Sequence, residues 1–515
     1  MRRVGIDVGG TNTDAVLVEG DVVVNAVKTP TTADVTSGIT TALRQLIEEP
    51  SAGGIGGPEA RPPMSIDAVM IGTTHFTNAV VQRRDLTRVA ALRIGLPASA
   101  SLPPFVDWPE DLAALVRGEV VMLEGGHEYD GRTIVPFDET AMRQAARRIR
   151  AAGISSVAIA SVFSPLNAEC ETRAAAILRE EYPDVAVTLS HELGRIGLLE
   201  RENATLLNAS LVGLARRTTQ AFAEALRRSG LAAPLYLTQN DGTVMRAATA
   251  ETFPVYSFAS GPTNSMRGAA FLSGLHDALV IDVGGTTTDI GSLRHGFPRE
   301  ANNVVEVGGV RTLFRMPDLL SLGLGGGSLV ADAGRHVGPQ SVGYRLVDEG
   351  RVFGGDTLTA TDVAVAAGLI DLSADLVKSA LARLHATIEE GVDRMKTDAR
   401  AESLIVVGGG SFLVPARLAG VSEVVHVRHQ AVANAVGAAI AQVSGEVNQI
   451  FQNRPREAAI ADARRIAEER AVSAGADRAT LQVVEVEDLP LAYLPGNSLR
   501  VRVRVVGDVA EIADR

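Results

Sequence analysis

Apolar and polar positions in the first hundred residues change period several times, and each change predicts an element. Residues 3–7 and 15–18 are short apolar runs on either side of a polar, glycine-rich turn, the pattern of a β-hairpin. Residues 34–48 carry helical spacing, residues 50–63 are a Gly- and Pro-rich loop, and 64–71, 77–83 and 88–94 read as strand, helix and strand. Further on, a helix over 139–152 is closed by Gly153 and leads into the near-continuous apolar run 157–163, as expected of a strand buried on both faces. A helix over 167–181, a strand over 185–189 and a long helix over 200–228 follow, and a new block begins at Leu235. This alternation predicts an α/β fold.

The pattern also repeats itself. Ile6-Asp7-Val8-Gly9-Gly10-Thr11-Asn12-Thr13-Asp14 recurs as Ile281-Asp282-Val283-Gly284-Gly285-Thr286-Thr287-Thr288-Asp289, identical at eight of nine positions and offset by 275 residues. Residues 278–282 and 290–293 flank the second copy as 3–7 and 15–18 flank the first, so two related α/β lobes facing one another are expected. The last 70 residues differ, with an Ala-, Arg- and Glu-rich helix over 457–474 and strands over 481–487 and 498–506 joined through Pro495-Gly496. They predict a small C-terminal α+β appendage that serves packing or oligomerisation. The resulting division is 1–190, 191–445 and 446–515.

Composition narrows the function classes. A chain of 515 residues has room for roughly three structural units. It is 46% hydrophobic and 21% charged, and so neither disordered nor fibrous. The net charge is −12 and only Lys28, Lys378 and Lys396 are lysines, which argues against a nucleic-acid partner. The one cysteine, Cys170, excludes an internal disulfide and a multi-thiolate zinc site. The beginning lacks a signal-peptide core, and the longest Ala-rich stretch, 431–443, is interrupted by Asn434 and Gln442. No membrane association and a cytoplasmic location are the expectations.

The repeated turns carry the candidate chemistry. A Gly-Gly-Thr turn points backbone N–H groups at an anion without interference from Cβ atoms, and the threonine hydroxyl adds a donor. Gly9, Gly10, Thr11 and Asn12 would form one phosphate clip, and Gly284, Gly285, Thr286 and Thr287 the other. Asp7 and Asp282 repel a bare phosphate but suit a hydrated Mg²⁺ between phosphates and carboxylates, so one nucleotide is expected between the lobes. Gly408, Gly409, Gly410 and Ser411, after an apolar strand, fit a purine and ribose site, with the small-residue helix from Asn434 behind them. His75, at the polar tip after residues 68–71, is either a catalytic contact to substrate or phosphate or a histidine satisfied locally. His191 and Glu192 lie either near a substrate or on a solvated loop. Asp14 and Asp289 read either as turn caps or as a catalytic base, and His426 and His429 either as a surface pair or as metal ligands. No Gly-Lys-Ser/Thr loop or Gly-x-Ser-x-Gly elbow occurs, and Gly323 to Ser328 lacks the final glycine of a dinucleotide fingerprint.

In their order, these phosphate and adenosine motifs resemble those of the actin, hexokinase and heat-shock ATPase superfamily. Ile71-Gly72-Thr73-Thr74-His75-Phe76-Thr77-Asn78, Gln239-Asn240-Asp241-Gly242, Ser260-Gly261-Pro262, Gly323-Leu324-Gly325-Gly326-Gly327-Ser328 and Leu358-Thr359-Ala360-Thr361-Asp362 are similar to signatures of the hydantoinase A and 5-oxoprolinase family, across residues 1–440. The ending resembles its shorter members. Thr263-Asn264-Ser265 stands where longer relatives carry Ala-Gly-Gly, and the segment near Val342-Gly343-Tyr344 replaces a Gly-Pro-Ala-Cys-Tyr sequence. The resemblance implies a two-lobed actin/hexokinase-like ATPase fold with ATP and Mg²⁺ as cofactors. It also implies ring-opening hydrolysis of a hydantoin, oxoproline or lactam through phosphoryl activation of the amide oxygen. A second hydantoinase-type subunit or a homo-oligomer is the implied partner. A small-molecule or sugar kinase, and a nucleotide-switched binding protein of the actin or chaperone type, are the alternatives on this scaffold.

Overall fold

The computed structural model describes residues 1–9, 12–31, 35–48, 65–194, 196–301, 304–313, 315–365, 370–492 and 496–510. Gly10, Thr11, Pro495 and the expected loop 50–63 lie outside these residues. Among those described, the elements follow the apolar periodicity. The predicted helices over 139–152, 200–228 and 457–474 are Glu139–Ala151, Leu198–Arg228 and Arg456–Ala474. The run at 157–163 is the strand Ser156–Ser161, buried throughout and paired in parallel on both sides.

Two sheets share one plan. In the first lobe, Arg2–Val8 pairs antiparallel with Asn12–Glu19, which pairs antiparallel with Val22–Pro30. On its other side Arg2–Val8 pairs in parallel with Ala68–Thr73, and that strand with Leu235–Thr238. In the second lobe, Ala278–Val283 pairs antiparallel with Thr288–Arg294, which pairs with Phe297–Pro298, and in parallel with Glu402–Val407, then Val421–His426. Both sheets therefore run in the order third, second, first, fourth, fifth strand. The hairpin registers also coincide, with Asp7 opposite Asp14 in one and Asp282 opposite Asp289 in the other. This is the duplicated two-lobed fold that the sequence repeat predicts.

A four-stranded parallel unit is inserted between Ala68–Thr73 and Leu235–Thr238. The helix Leu198–Arg228 leads from it back to the first lobe, and the buried Arg93–Glu202 ion pair fastens the two. Cys170 is buried in this unit. The sheets group the chain differently from the division at 190/191 and 445/446. Thr243–Arg246 and Gln442–Phe451 pair in parallel, so the C-terminal strands extend the first lobe's sheet to nine strands. The C-terminal helix lies close on that extension through an alanine stripe, Ala459, Ala463, Ala467 and Ala471, all fully buried. At Gly445 a methyl group would come within 2.1 Å of the Ala467 carbonyl oxygen, which is why no side chain stands there.

The chain crosses between lobes through Ser260–Ser273 and returns through Ala433–Ala439. These helices touch backbone to backbone. A Cβ on Gly437 would lie 1.8 Å from the Asn264 carbonyl oxygen, and one on Gly268 would lie 1.9 Å from that of Ala433. Among the described residues no helix is long and apolar enough to cross a membrane.

Candidate functional site

The two hairpins end at a shared cavity of about 200 Å³. Asp7, Gly9, Asn12 and Asp14 line it from one lobe, and Asp282, Gly284, Gly408 and Gly409 from the other. Its enclosed space is below the usual range for a whole small ligand, so it suits a phosphate tail and an ion rather than a complete nucleotide. In each turn the first glycine donates to the fourth residue, Gly9 N to Asn12 O at 3.0 Å and Gly284 N to Thr287 O at 2.9 Å.

The second turn is held from behind. Gly326 and Gly327 donate their N–H groups to the carbonyls of Gly284 and Gly285, at 3.0 and 2.7 Å. A Cβ on Gly325 would sit 2.6 Å from the Gly285 backbone, so the Gly323 to Ser328 segment is glycine-rich because two chains meet there. Thr361 donates in turn to the Gly326 carbonyl at 2.8 Å, and Asp362 accepts from the Thr359 N–H at 2.7 Å. Two of the signature segments thus act through the turn: with its carbonyls engaged behind, the N–H groups of Gly285 and Thr286 are left for the other side.

Of the four carboxylates, Asp7 and Asp14 are buried and Asp282 and Asp289 half-buried. Asp7 Oδ2 accepts from Asn434 Nδ2 at 2.8 Å, while Oδ1 is buried without a hydrogen-bond partner. Burial, the Asp14 charge and the Asp282 charge push Asp7 up to about 7, against the Asn434 hydrogen bond. Burial also raises Asp282, opposed by a hydrogen bond from Ser265 and the charge of Lys28. Asp14 is raised by burial and moderated by Lys28, whose Nζ lies 2.8 Å from both of its oxygens. Lys28 Nζ also donates to the Ala431 carbonyl at 3.1 Å. Asp289 is pushed up to about 6, first by burial. An orphaned, buried carboxylate oxygen on a residue that lines the same cavity as a second carboxylate fits a cation. Among the described residues no three His, Cys, Asp or Glu side chains converge as a direct metal cage, so a hydrated ion with few protein ligands suits the pair best.

The other expected site residues divide. Gly10 and Thr11 lie outside the described residues. Gly285, Thr286 and Thr287 form the exposed tip of the second turn. Gly410 and Ser411 face inward: Gly410 N donates to Val283 O at 2.8 Å, and Ser411 Oγ accepts from Gln430 at 2.9 Å. A Cβ on Gly408, at φ +90°, would lie 2.3 Å from Asp282 Oδ1, so this glycine belongs beside the carboxylate. The helix from Asn434 lies against the first hairpin and the other linker helix, and Asn434 itself serves Asp7.

His75 does not line the cavity. Its Nδ1 is 2.5 Å from the Thr73 hydroxyl rather than a backbone carbonyl, its ring meets Phe222 edge-on, and burial lowers its pKa. Asp14 pairs with Lys28, and Asp289 accepts from the Ser321 hydroxyl. Lys28 and Asn434 are the cleft residues that motif reading missed; the scarcity of lysine was the available signal for the first.

Residues 3–182 match the hydantoinase/oxoprolinase N-terminal region, and residues 201–374 match the hydantoinase/oxoprolinase domain. Caprolactamase subunit alpha of Pseudomonas jessenii is 28% identical over 392 residues, covering 72% of this chain and 54% of that protein. The acetophenone carboxylase gamma subunit of Aromatoleum aromaticum is 26% identical over 401 residues, with the same shares of 72% and 54%. The chain thus spans about half the length of the curated relatives it matches. The crystal structure of the ATP-dependent caprolactamase from Pseudomonas jessenii superposes with a TM-score of 0.77 at 20% identity, over 100% of this chain and 89% of that one. A nucleotide-free acetone carboxylase structure gives 0.65 at 18% identity, over 99% and 89%. With its duplicated lobes and both matches in sequence order, the chain belongs to the hydantoinase/oxoprolinase family.

Proposed function

We propose that this chain is the ATP-binding subunit of an enzyme that opens a cyclic amide ring, of hydantoin, oxoproline or lactam type, by phosphorylating the amide oxygen. The observation that carries this reading is the identical register of the two hairpins, which delivers Asp7 and Asp282 to one cavity. The family and a relative described as a caprolactamase subunit support the substrate class.

An unactivated lactam resists water because attack removes amide resonance and the ring nitrogen leaves poorly. Phosphorylation of the oxygen converts the group to an imidate, in which that resonance is gone. Such a transfer asks the protein mainly for positioning and for neutralisation of charge. In this chain the N–H groups of the two turns would hold phosphate oxygens, and Lys28 would bring positive charge to the same cavity. Asp7 and Asp282 would hold a hydrated Mg²⁺, whose charge offsets that of the phosphates. Asn434 keeps one Asp7 oxygen occupied, and the other, without a hydrogen-bond partner, would be left for the ion.

The relatives described as subunits favour a second, hydantoinase-type chain as partner. The deciding experiment incubates the chain with ATP, Mg²⁺ and a panel of hydantoins, 5-oxoproline and lactams, with and without such a partner. Amide-dependent ADP release with a ring-opened product is the expected result. A stable phosphorylated product would make the protein a kinase, and slow turnover indifferent to every amide would make it a nucleotide switch.

A further inference from the structure

A second cavity, of about 910 Å³, lies between the inserted unit, the Gln239–Asp241 segment and the C-terminal strands. It shares no lining residue with the aspartate cavity, and its size is that of a small-molecule site. Strand register places it. Asp7 pairs with Gly72 and Ile71 with Leu237, so Thr238 stands two strand spacings, about 10 Å, from Asp7. Gln239, the next residue, is in the wall of the second cavity. Both cavities therefore adjoin the carboxyl ends of neighbouring parallel strands, where open α/β sheets bind ligands.

His191 is also in that wall, and its orientation is fixed from behind. Glu171, fully buried, lies 2.7 Å from His191 Nδ1 and accepts from the His191 N–H at 3.1 Å and the Ser161 N–H at 2.8 Å. Ser190 Oγ donates to the same carboxylate at 2.5 Å and accepts from Arg201 Nε at 2.9 Å. Nδ1 is thus committed to a carboxylate, and among the described residues Nε2 makes no hydrogen bond. A buried anion behind an imidazole that borders a cavity is the arrangement of an oriented proton acceptor. Tyr256 bonds the Glu192 carbonyl at 2.9 Å and steadies the segment from the far side.

The groups facing this imidazole are Glu171, Glu192 and Arg201. Burial lowers its pKa, but the hydrogen bond and charge of Glu171 and the charge of Glu192 outweigh burial and Arg201, and the net direction is upward. Burial would raise Glu171, but its bonds from His191, Ser164 and Ser190 prevail and hold it below the usual carboxylate range. The pair is an anion beside an imidazole that titrates above its ordinary value.

We propose that the second cavity receives the cyclic amide and that His191, positioned by Glu171, takes the ring N–H proton as the amide oxygen is phosphorylated. The bond from the γ-phosphorus to the ADP oxygen breaks as the bond to the amide oxygen forms. The N–H proton moves to His191 Nε2, leaving a cyclic imidate whose ring nitrogen is uncharged and whose oxygen carries the anionic phosphoryl group, together with ADP and an imidazolium beside the Glu171 carboxylate. This role rests on the functional reading above.

The test uses the full chain with its partner subunit. In His191→Gln, ATP affinity by calorimetry stays within about twofold of wild type, because the aspartate cavity is untouched. Amide-dependent ADP release falls about 100-fold or more. In Glu171→Gln the rate falls less, and the acid limb of its pH profile moves to lower pH, since loss of the anion lowers the imidazole pKa. The imidazole signal of His191 in histidine-labelled protein, assigned by its absence in His191→Gln, shifts when hydantoin, 5-oxoproline or caprolactam is added; this readout survives if Glu171→Gln does not fold. Unchanged ADP release by His191→Gln overturns the role alone. So does a slowed variant whose wild-type histidine signal ignores every amide, because the residue would then act from a distance. A wild type that releases no ADP with any amide overturns the functional reading and this role together.

Discussion

Asn434 donates to Asp7 across 427 positions of sequence, so one oxygen of this carboxylate is held by the return linker between the lobes while the other is buried without a hydrogen-bond partner. The protein without metal therefore carries an unfavourable charge. Asp7 titrates at about 7, above its unfolded value, so its contribution to stability is complete below pH 4 and is lost as pH rises through 7. Asp7→Asn should be more stable than wild type at pH 8 in EDTA, by on the order of a few kcal/mol and with a higher melting temperature, and should differ little at pH 4. It should also lose Mg²⁺-dependent ATP turnover. Equal melting temperatures at pH 8 would show that the carboxylate is not strained without its ion.

Bulk in the second turn acts on the ligand rather than on the fold. A Cβ at Gly285 meets nothing within 4 Å, so Gly285→Val should fold with a melting temperature close to wild type. Its side chain would obstruct the approach of phosphate to the backbone. ATP binding measured by calorimetry should weaken at least tenfold both in EDTA and in Mg²⁺. Asp282→Asn should lose affinity only in Mg²⁺, and the two patterns together separate phosphate grip from ion positioning.

The crossing of the linker helices tolerates no side chain. At Gly437 an added methyl would lie 1.8 Å from a backbone oxygen, whereas at Gly409 it meets open space. Gly437→Ala should destabilise the protein by about 2 kcal/mol or more in chemical denaturation, and Gly409→Ala by well under 1 kcal/mol. Similar losses at both positions would mean that the helices separate without cost.

An ionic network joins the C-terminal strands to residues that follow the second lobe's hairpin. Arg502 meets Glu300 at 2.6 Å, Glu446 at 3.0 Å and Glu485 at 2.9 Å, and Arg315 meets Glu446 at 2.6 Å and Glu485 at 3.2 Å. Arg502 is only 7% exposed, and its removal leaves Glu300, Glu446 and Glu485 to share Arg315 with an excess of negative charge. Arg502→Met should cost about 3 kcal/mol or more in urea unfolding. Adding Glu446→Gln should restore part of that loss, because the excess negative charge is what makes the single change costly. A double variant no more stable than the single one would count against this origin.

The sequence by itself determined what rests on local rules. Alternation of apolar and polar residues gave strand and helix positions such as 139–152 and 200–228 to within two residues of the structure, because a side chain's face follows from its distance along one element. The duplicated Asp-Val-Gly-Gly-Thr turns implied two matching hairpins, and the aspartates could be named because strand, turn and strand lie within nine residues. Tertiary structure decided what meets across the chain. Lys28 reaches the Ala431 carbonyl from 403 positions away, and Asn434 reaches Asp7 from 427. Gly326 backs a turn some 40 residues earlier, and the strand Gln442–Phe451 joins the first sheet rather than a separate unit. None of these contacts has a period or a turn signature, since each forms only when two distant segments bury their backbones or charges against one another. For the same physical reason His75, prominent in a local motif, meets its neighbour Thr73, while His191, for which the sequence left a solvated loop open, stands before a buried carboxylate on a cavity wall.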